Sequence, residues 1–303
     1  AADAAARDAI GAVPLVVADS FDRAKLDALA ASTRAVITTV GPYALYGHAL
    51  AAACAAAGTD YVDLTGEVNF VRASIDANDA AAQRTGAAIV HCCGFDSVPS
   101  DLGVLLLAEH ARTALRGAHA LGATRFVLIK SAGGASGGTI ASALEMTKLP
   151  TATLRAMSRR YYLNAPAPEP PAATKQLEPR GQRWVRWDAT LRRWTAPFIM
   201  EAVNARVVRR SSALANLYSP HFTYGESVAC ANYVVGVLMT LGLAVAVALI
   251  ALPPTRWLLQ RFVLPAPGQG PSRAVRDAGH FTVRVHARTV PADAAAARPP
   301  VLT

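Results

Sequence analysis

The stretch VITTVGPYALYGHALAAACAAAGTDYVDLTGE, residues 36–67, decides the fold class of this chain. It begins with a β-branched run that ends in a turn at Gly41 and Pro42, and an alanine-rich segment, 47–57, follows. The run predicts a strand, the alanine-rich segment predicts a helix that ends at Gly58, and the letters DYVDLTG predict a second strand. Strand, turn, helix and strand in this order form the unit from which nucleotide-binding parallel sheets are built.

Strand and helix patterns alternate on both sides of this unit. PLVVADS (Pro14–Ser20) and AAIVHCCG (87–94) predict further buried strands. Helices are predicted over FDRAKLDALAAST, over Val68–Arg84 and from Pro99 onward. The alternation predicts an α/β fold with a parallel sheet, right-handed crossovers and ligands at the carboxyl ends of the strands.

The pattern changes after about residue 120, so we expect two domains, residues 1–120 and 121–303. The second begins with a strand, a glycine-rich turn and a helix, over residues 123–146. The segments NARVVRRSSAL, HFTYGESVA and GHFTVRVHART predict strands of a mainly antiparallel sheet. A proline-rich segment, 164–181, predicts an exposed, mobile loop. The second domain is therefore expected to be α+β and to cover a ligand cleft in the first.

An apolar segment, residues 229–264, raises the mean hydropathy to +0.26. Its central part, Tyr233–Leu252, has 20 residues without a charge, which at about 1.5 Å per residue is long enough to cross a bilayer. Pro253 and Pro254 end this helix, and an amphipathic segment with Arg256, Trp257 and Arg261 follows. An interfacial hairpin with both ends in the cytoplasm is favoured, and a buried core helix and a transmembrane span are the alternatives.

Composition limits the classes of partner. The chain has 303 residues and a net charge of +9, but only 4 of its 30 basic residues are lysine and they are dispersed. We therefore predict no nucleic-acid binding, although a basic surface suits anionic lipid or a phosphorylated cofactor. The four cysteines lack metal-clip spacing, which predicts reduced thiols, no metal site and a cytoplasmic protein.

Candidate ligand contacts lie where the predicted strands end. Gly41 permits close approach of the backbone to a ligand, and Tyr43 can pack over a ribose or ring. The alternative for the glycine and proline is an ordinary tight turn, and for the polar residues it is helix capping. The candidates from these strand ends are Asp19, Thr39, Val40, Gly41, Pro42, Tyr43, Thr65, Gly66 and Glu67.

HCCGFDSVPSDLG, residues 91–103, is the densest group of polar residues. His91 ends a predicted strand and is a candidate proton donor, with a structural histidine as the alternative. The following turn precedes a helix, so its free backbone amides can face a carbonyl or carboxylate of a ligand. The catalytic candidates are His91, Asp96 and Tyr43, the turn adds Gly94 and Phe95 as cofactor contacts, and Ser97 is a substrate contact.

Two further groups are candidate substrate contacts. The glycine-rich turn with Ser136, Gly137, Gly138 and Thr139 offers amides that can form an anion nest, or it allows two backbones to pass closely. Arg206 and Arg209 suit a carboxylate or phosphate, or they belong to a solvated basic strand.

Several blocks together resemble the saccharopine dehydrogenase-like oxidoreductases, and specifically the bacterial branch of trans-acting enoyl reductases. They are residues 39–67, IVHCCGFDSVPSDLGV, SGGTIAS and TAPFIMEAVNARVVRRSSAL. The resemblance implies a Rossmann-type domain that binds NAD or NADP, a second α/β domain and membrane or lipid-droplet association. It further implies a small-molecule or lipid substrate, and we expect a possible homodimer on the cytoplasmic face of a membrane.

The resemblance also implies a first strand, a glycine-rich turn and a second strand, and none of these precedes Pro14. Pro14–Ser20 is then expected to be the third strand of the sheet, and a chain without the pyrophosphate turn is expected to bind cofactor poorly. The favoured activity is enoyl reduction on a lipid intermediate. Saccharopine dehydrogenase activity on an amino-acid imine and a non-catalytic membrane scaffold are the alternatives.

Overall fold

The computed structural model describes residues 13–134, 136–165, 175, 181–215, 218–219, 221–266, 268–291 and 301–302. These residues form a three-stranded parallel sheet and a six-stranded mixed sheet. The predicted α/β class and its parallel sheet are confirmed.

The parallel sheet has the strand order β1-β2-β3, with β1 at Ala35–Thr38, β2 at Asp60–Asp63 and β3 at Ile89–Val90. Helices alternate with these strands as the sequence predicts. They are α1 (Arg23–Ala31), α2 (Tyr43–Ala57), α3 (Val68–Thr85) and α4 (Val98–Ala114).

Two glycines end the crossover helices. Gly58 follows α2 with φ of 77°, and Gly86 follows α3 with φ of 82°. Side chains with a Cβ rarely adopt this left-handed conformation, so glycine at these positions stops each helix and turns the chain into the next strand.

The prediction of a buried strand at Pro14–Ser20 is wrong. Residues 14–19 adopt no regular structure, and the side chains of Leu15 and Val17 are 95% and 87% exposed. A strand requires hydrogen-bonding neighbours, and among the described residues β1 pairs only with β2. The apolar side chains of this run therefore stay largely exposed in the part of the chain that the structure describes.

The mixed sheet has the strand order β5-β6-β7-β4-β8-β9. Strands β4 and β7 are parallel to each other, whereas every other neighbouring pair is antiparallel. The strands are β4 (His119–Ala132), β5 (Arg186–Asp188), β6 (Arg193–Ala196), β7 (Thr223–Cys230), β8 (His280–Pro291) and β9 (Val301–Leu302).

The prediction of a strand in NARVVRRSSAL is also wrong, because this segment lies within helix α7 (Glu201–Ala215). Val203, Asn204 and Val208 are buried, which places positions i, i+1 and i+5 on one helical face. The adjacent valines suggested a strand, but packing against α4 and β7 decides the helical state.

The hydrophobic core on which the mixed sheet packs also includes residues of α4. Val104 and Leu107 of α4 belong to the same buried cluster as Leu121 and Phe126 of β4 and Val208 of α7. The N-terminal parallel unit and the mixed sheet are therefore joined by a shared core, and the domain boundary near residue 120 stays a prediction.

The remaining helices are α5 (Gly137–Met146), α6 (Thr151–Met157), α8 (Tyr233–Ala251), α9 (Pro253–Phe262) and α10 (Arg273–Asp277). Within the described part of the chain, α8 alone has the length and apolar composition needed to cross a bilayer, and it is almost entirely exposed. Most of the predicted proline-rich loop, residues 166–174 and 176–180, lies outside the described residues.

Candidate functional site

The carboxyl ends of the three parallel strands are level with one another. Thr38 of β1 pairs with Asp63 of β2, and the β2–β3 register places His91 beside Asp63. Residues that follow these positions therefore share one edge of the sheet, which is where open α/β sheets bind their ligands.

This edge presents an exposed surface, here called the strand-end surface, formed by Thr39, Val40, Leu64, Gly66, Cys93 and Phe95. Val40, Leu64 and Phe95 are 54%, 45% and 61% exposed. A Cβ built on Gly66 would meet no atom within 4 Å, so the space above this backbone is open. The surface can accept a planar ligand that lies across the strand ends.

Asp63 organises the interior side of this edge. Its Oδ2 lies 2.6 Å from Nδ1 of His91, while its Oδ1 accepts hydrogen bonds from the amides of Thr65 and Cys92. The Nε2 of His91 lies 2.9 Å from Oγ of Ser74. Both ring nitrogens of His91 thus have partners inside the protein, and its predicted role as a proton donor stays a prediction.

Glu67 directly precedes α3 and is 1% exposed, and its carboxylate lies at the start of α2 rather than in solvent. Its carboxylate accepts hydrogen bonds from the amides of Tyr43 and Ala44 at 2.8 and 2.9 Å. The residue before α2 is Pro42, whose side chain cannot cap the helix, so a carboxylate from the next strand end does so instead. Glu67 therefore has a structural role that the sequence did not reveal.

Tyr43 is likewise turned inward. It is 3% exposed, and its hydroxyl donates a hydrogen bond to the carbonyl oxygen of Thr38 at 3.1 Å. Burial, with smaller contributions from the negative charges of Asp63 and Glu67, raises the pKa of Tyr43 to about 12. The phenol is held neutral near physiological pH, and it fixes the turn that leads from β1 to α2.

The glycine-rich turn before α5 adjoins this edge. Ser142 of α5 donates a hydrogen bond to Glu67, and a Cβ built on Gly41 would lie 3.5 Å from its Oγ. Within the turn, the amide of Gly137 donates to the carbonyl of Gln269, and the amide of Thr139 donates to Oγ of Ser136. Two amides of the predicted anion nest thus already have protein partners.

Ser97 lies in a buried polar network that joins the start of α4 to α7 and β7. Its hydroxyl donates to Oδ1 of Asn204 at 3.0 Å, and Nδ2 of Asn204 donates to Ser100 at 3.2 Å and to Glu226 at 3.1 Å. Tyr224 donates to the other carboxylate oxygen of Glu226 at 2.7 Å. Burial raises the pKa of Glu226, and the hydrogen bonds from Ser100, Tyr224 and Asn204 oppose this effect.

Arg206 and Arg209 belong to helix α7, which corrects their predicted location on a basic strand. They line a cavity of about 400 Å³ together with Gln182 and Glu201. Arg209 is 8% exposed and donates to the carbonyl oxygen of Tyr224 at 3.1 Å. Burial, followed by the nearby charge of Arg209, lowers the pKa of Arg206. This cavity shares no lining residue with the strand-end surface.

The structure therefore divides the sequence-based candidates. Thr39, Val40, Gly41, Gly66, Gly94, Phe95 and Asp96 lie at or beside the strand-end surface, whereas Tyr43, Thr65, Glu67, His91 and Ser97 point into the protein. Gly94 packs closely, since its Cβ would lie 2.8 Å from that of Leu64. Asp19 accepts from the amide of Phe21 in the turn before α1.

Sequence reasoning missed Ser142, Asn204 and Glu226. Glu226 carried the one available signal, because it is an acidic residue inside an otherwise uncharged strand pattern. No such signal marked Ser142 or Asn204, whose partners lie 75 and 107 residues away in the chain.

Comparison with known proteins gives a consistent set of relatives. A Mycobacterium tuberculosis protein described as "Putative trans-acting enoyl reductase" is 42% identical over 303 residues, covering 94% of this chain and 71% of the relative. The trans-acting enoyl reductase of Mycobacterium ulcerans is 37% identical, over 94% of this chain and 72% of the relative. That of Mycobacterium bovis is 38% identical, over 91% and 68%. No family model matches the chain.

Proposed function

The chain belongs to the family of trans-acting enoyl reductases, and from this we propose that it is an NAD(P)H-dependent oxidoreductase that reduces the carbon–carbon double bond of an enoyl lipid intermediate. The observation that carries the cofactor part of the proposal is the strand-end surface. It is exposed, it lies at the carboxyl edge of a parallel sheet, and the backbone at Gly66 is open to a ligand.

A bound nicotinamide would supply a hydride to one carbon of the double bond, and a proton must reach the other. In this proposal Thr39, Val40, Gly66 and Phe95 hold the ribose and nicotinamide side of the cofactor. The backbone at Gly66 fits that role because a Cβ built there would meet no atom within 4 Å. The exposed side chains of Val40 and Phe95 offer apolar contacts to a ring. Asp63, Glu67 and Tyr43 keep the strand ends in place beneath it.

We also propose that further strands complete a Rossmann-type sheet beyond β1 and carry the pyrophosphate turn. Among the described residues, the outer edge of β1 has no strand partner, which supports this proposal. The exposure of Leu15, Val17 and Ile37, which is 80% or more for each, supports it as well. Parallel sheets are normally covered on both faces, so this apolar surface requires a cover. The sequence contains no G-x-G-x-x-G motif that could bind the pyrophosphate.

The substrate and the location are proposed together. A lipid-linked enoyl substrate agrees with the exposed apolar helix α8, and membrane association at the cytoplasmic face agrees with the net charge of +9. An amino-acid imine as substrate gives no reason for this helix to be exposed.

The test is NADPH binding by the protein, monitored by fluorescence, with oxidation of NADPH by an enoyl thioester as the second readout. Gly66→Leu should weaken NADPH binding at least about tenfold, because the new side chain occupies the space of the ligand. Thermal unfolding should be unchanged, since the new Cβ meets no protein atom within 4 Å.

Gly242→Leu is the matched control, because it makes the same change on α8, away from the strand-end surface, where a Cβ would also meet no atom within 4 Å. Unaltered NADPH affinity in Gly66→Leu would remove the strand-end surface from the cofactor site.

A further inference from the structure

We propose that α8 and α9 lie flat on the membrane surface, with α8 parallel to the bilayer plane and not across it. This inference rests on the membrane association proposed above and specifies its geometry. It assigns the membrane-binding surface to the outward side of both helices.

The first observation is that α8 is attached to the protein body near its start. The ring of Tyr233 lies 5.1 Å from that of Trp194 in β6. A Cβ built on Gly236 would lie 2.9 Å from Cγ1 of Val185, so the missing side chain lets the helix rest directly on the mixed sheet.

The second observation is that α9, the helix that follows α8 directly, also meets the body. Arg256 of α9 donates a hydrogen bond of 2.6 Å from Nη1 to Oγ1 of Thr147, which follows α5. Ser142 of the same α5 contacts Glu67 beneath the strand-end surface. A helix of 19 residues is about 28 Å long, so a crossing helix would carry its end to the opposite face of a hydrocarbon layer of about 30 Å. Arg256, in the helix that begins at that end, could not then contact Thr147.

The third observation is a narrow protein-facing stripe along α8. Gly236 and Thr240 are buried, and Leu243 and Ile250 are partly buried. The spacings of four, three and seven residues keep these positions on one helical face. The first half of this stripe, with Gly236 and Thr240, rests on the body, and Leu243 and Ile250 continue the stripe on the same helical face.

The outward side of α8 is apolar and uncharged. Val234, Leu238, Leu241 and Val245 are between 48% and 63% exposed and share one face at about 100° per residue. On α9, Trp257 and Phe262 are 60% and 72% exposed, and the guanidinium of Arg261 lies 5.6 Å from the ring of Phe262.

A lipid surface fits this composition better than a protein partner does. Aromatic rings and arginines beside an uncharged apolar surface are typical of helices in the membrane interface, where the apolar side enters the acyl region and the cations meet headgroups. The exposed apolar side chains are spread along both helices, and α8 carries no charge. We therefore assign the face to lipid, and a second copy of this chain is the competing occupant.

A cross-link tests whether α8 must leave the body to bind lipid. Thr147→Cys and Arg256→Cys are introduced together with Cys93→Ser, which removes the exposed native thiol. A short bis-maleimide then fixes α9, and with it the adjoining end of α8, to the segment that follows α5, and binding is measured by flotation with vesicles of equimolar phosphatidylcholine and phosphatidylglycerol. The cross-linked protein should float as well as the same variant blocked with N-ethylmaleimide. Loss of flotation only after cross-linking would overturn the in-plane geometry.

Depth measurements provide a second test that does not depend on the cross-link. A fluorophore is attached in turn to cysteines that replace Val234, Leu241 and Leu249, and its quenching by brominated lipids reports depth. The in-plane geometry predicts equal depth at the three positions. A crossing helix would place the middle position about 10 Å deeper than the first, and this result would overturn the proposal.

These tests separate the geometry from the functions on which it rests. If the blocked variant fails to float at all, the membrane association itself is wrong, whereas NADPH binding remains a separate measurement. A solution dimer that Leu241→Glu dissociates, without any vesicle binding by the parent protein, would assign the face to a second copy and overturn the proposal.

Discussion

The hydroxyl of Ser142 donates a hydrogen bond of 2.7 Å to Oε1 of Glu67. This contact joins helix α5, which follows β4 in the chain, to the carboxyl edge of the parallel sheet. The same carboxylate caps α2, so one buried charge holds three elements around the strand-end surface.

Glu67→Ala should lower the free energy of unfolding by about 3 kcal/mol, because each buried donor left without a partner costs about 1–3 kcal/mol. Ser142→Ala, which removes only the contact to α5, should cost about 1 kcal/mol and serves as the matched comparison. Urea unfolding measures both. A Glu67→Ala variant within about 0.5 kcal/mol of the parent would show that water replaces the carboxylate without loss.

Gly47→Ala should destabilise the protein by about 1–3 kcal/mol through overpacking. The new Cβ would lie 2.8 Å from Cζ of Phe70, whose ring is fully buried and cannot move aside without disturbing its neighbours. Gly242→Ala is the control, because it also lies within a helix but its Cβ would meet no atom within 4 Å. Its greater helix propensity should leave stability unchanged or raise it by up to about 1 kcal/mol. Equal melting temperatures for the two variants would contradict the close α2–α3 packing.

The buried carboxyl of Glu226 should make stability depend on pH. Burial raises its pKa in the folded protein, so the folded state holds this proton more tightly than the unfolded state does. Its contribution to stability is therefore greatest below the unfolded pKa of about 4.3 and declines as pH rises from there through the folded pKa. Glu201 acts in the same direction, since burial also raises its pKa.

Glu226→Gln removes one of these two titrating groups. The variant should gain stability relative to the parent between about pH 4.5 and neutral pH, by at most about 1.4 kcal/mol for each pH unit of raised pKa. Paired urea unfolding curves across this range measure the difference. A difference that stays constant with pH would mean that Glu226 titrates alike in the folded and unfolded states.

His91→Asn should affect folding more than turnover. Both ring nitrogens of His91 lie within hydrogen-bonding distance of Asp63 and Ser74, and the side chain is only 7% exposed. We expect the turnover of the folded variant to fall by less than about tenfold, whereas loss of a general acid costs about 10²–10⁴-fold. Steady-state rates, corrected for the folded fraction by circular dichroism, decide between the two roles. A loss of the larger size, with the pH profile changed, would restore His91 as the proton donor.

The sequence by itself determined the order of strands and helices from β1 to α4 and where the crossover helices end. Local physics suffices there: β-branched runs favour β1 and β2, and Gly58 and Gly86 supply the left-handed conformations that stop α2 and α3. It also located α8, because a long uncharged run is a property of composition alone.

Only the tertiary structure decided the rest. Pro14–Ser20 forms no strand because pairing needs a neighbouring strand, and NARVVRRSSAL becomes helix because its buried face packs on α4 and β7. Likewise, Tyr43, Glu67 and Ser97 have polar groups suited to a ligand, yet their partners come from residues distant in the chain or across a turn. Whether a polar side chain faces solvent or interior depends on such long-range contacts, which periodicity and spacing do not encode.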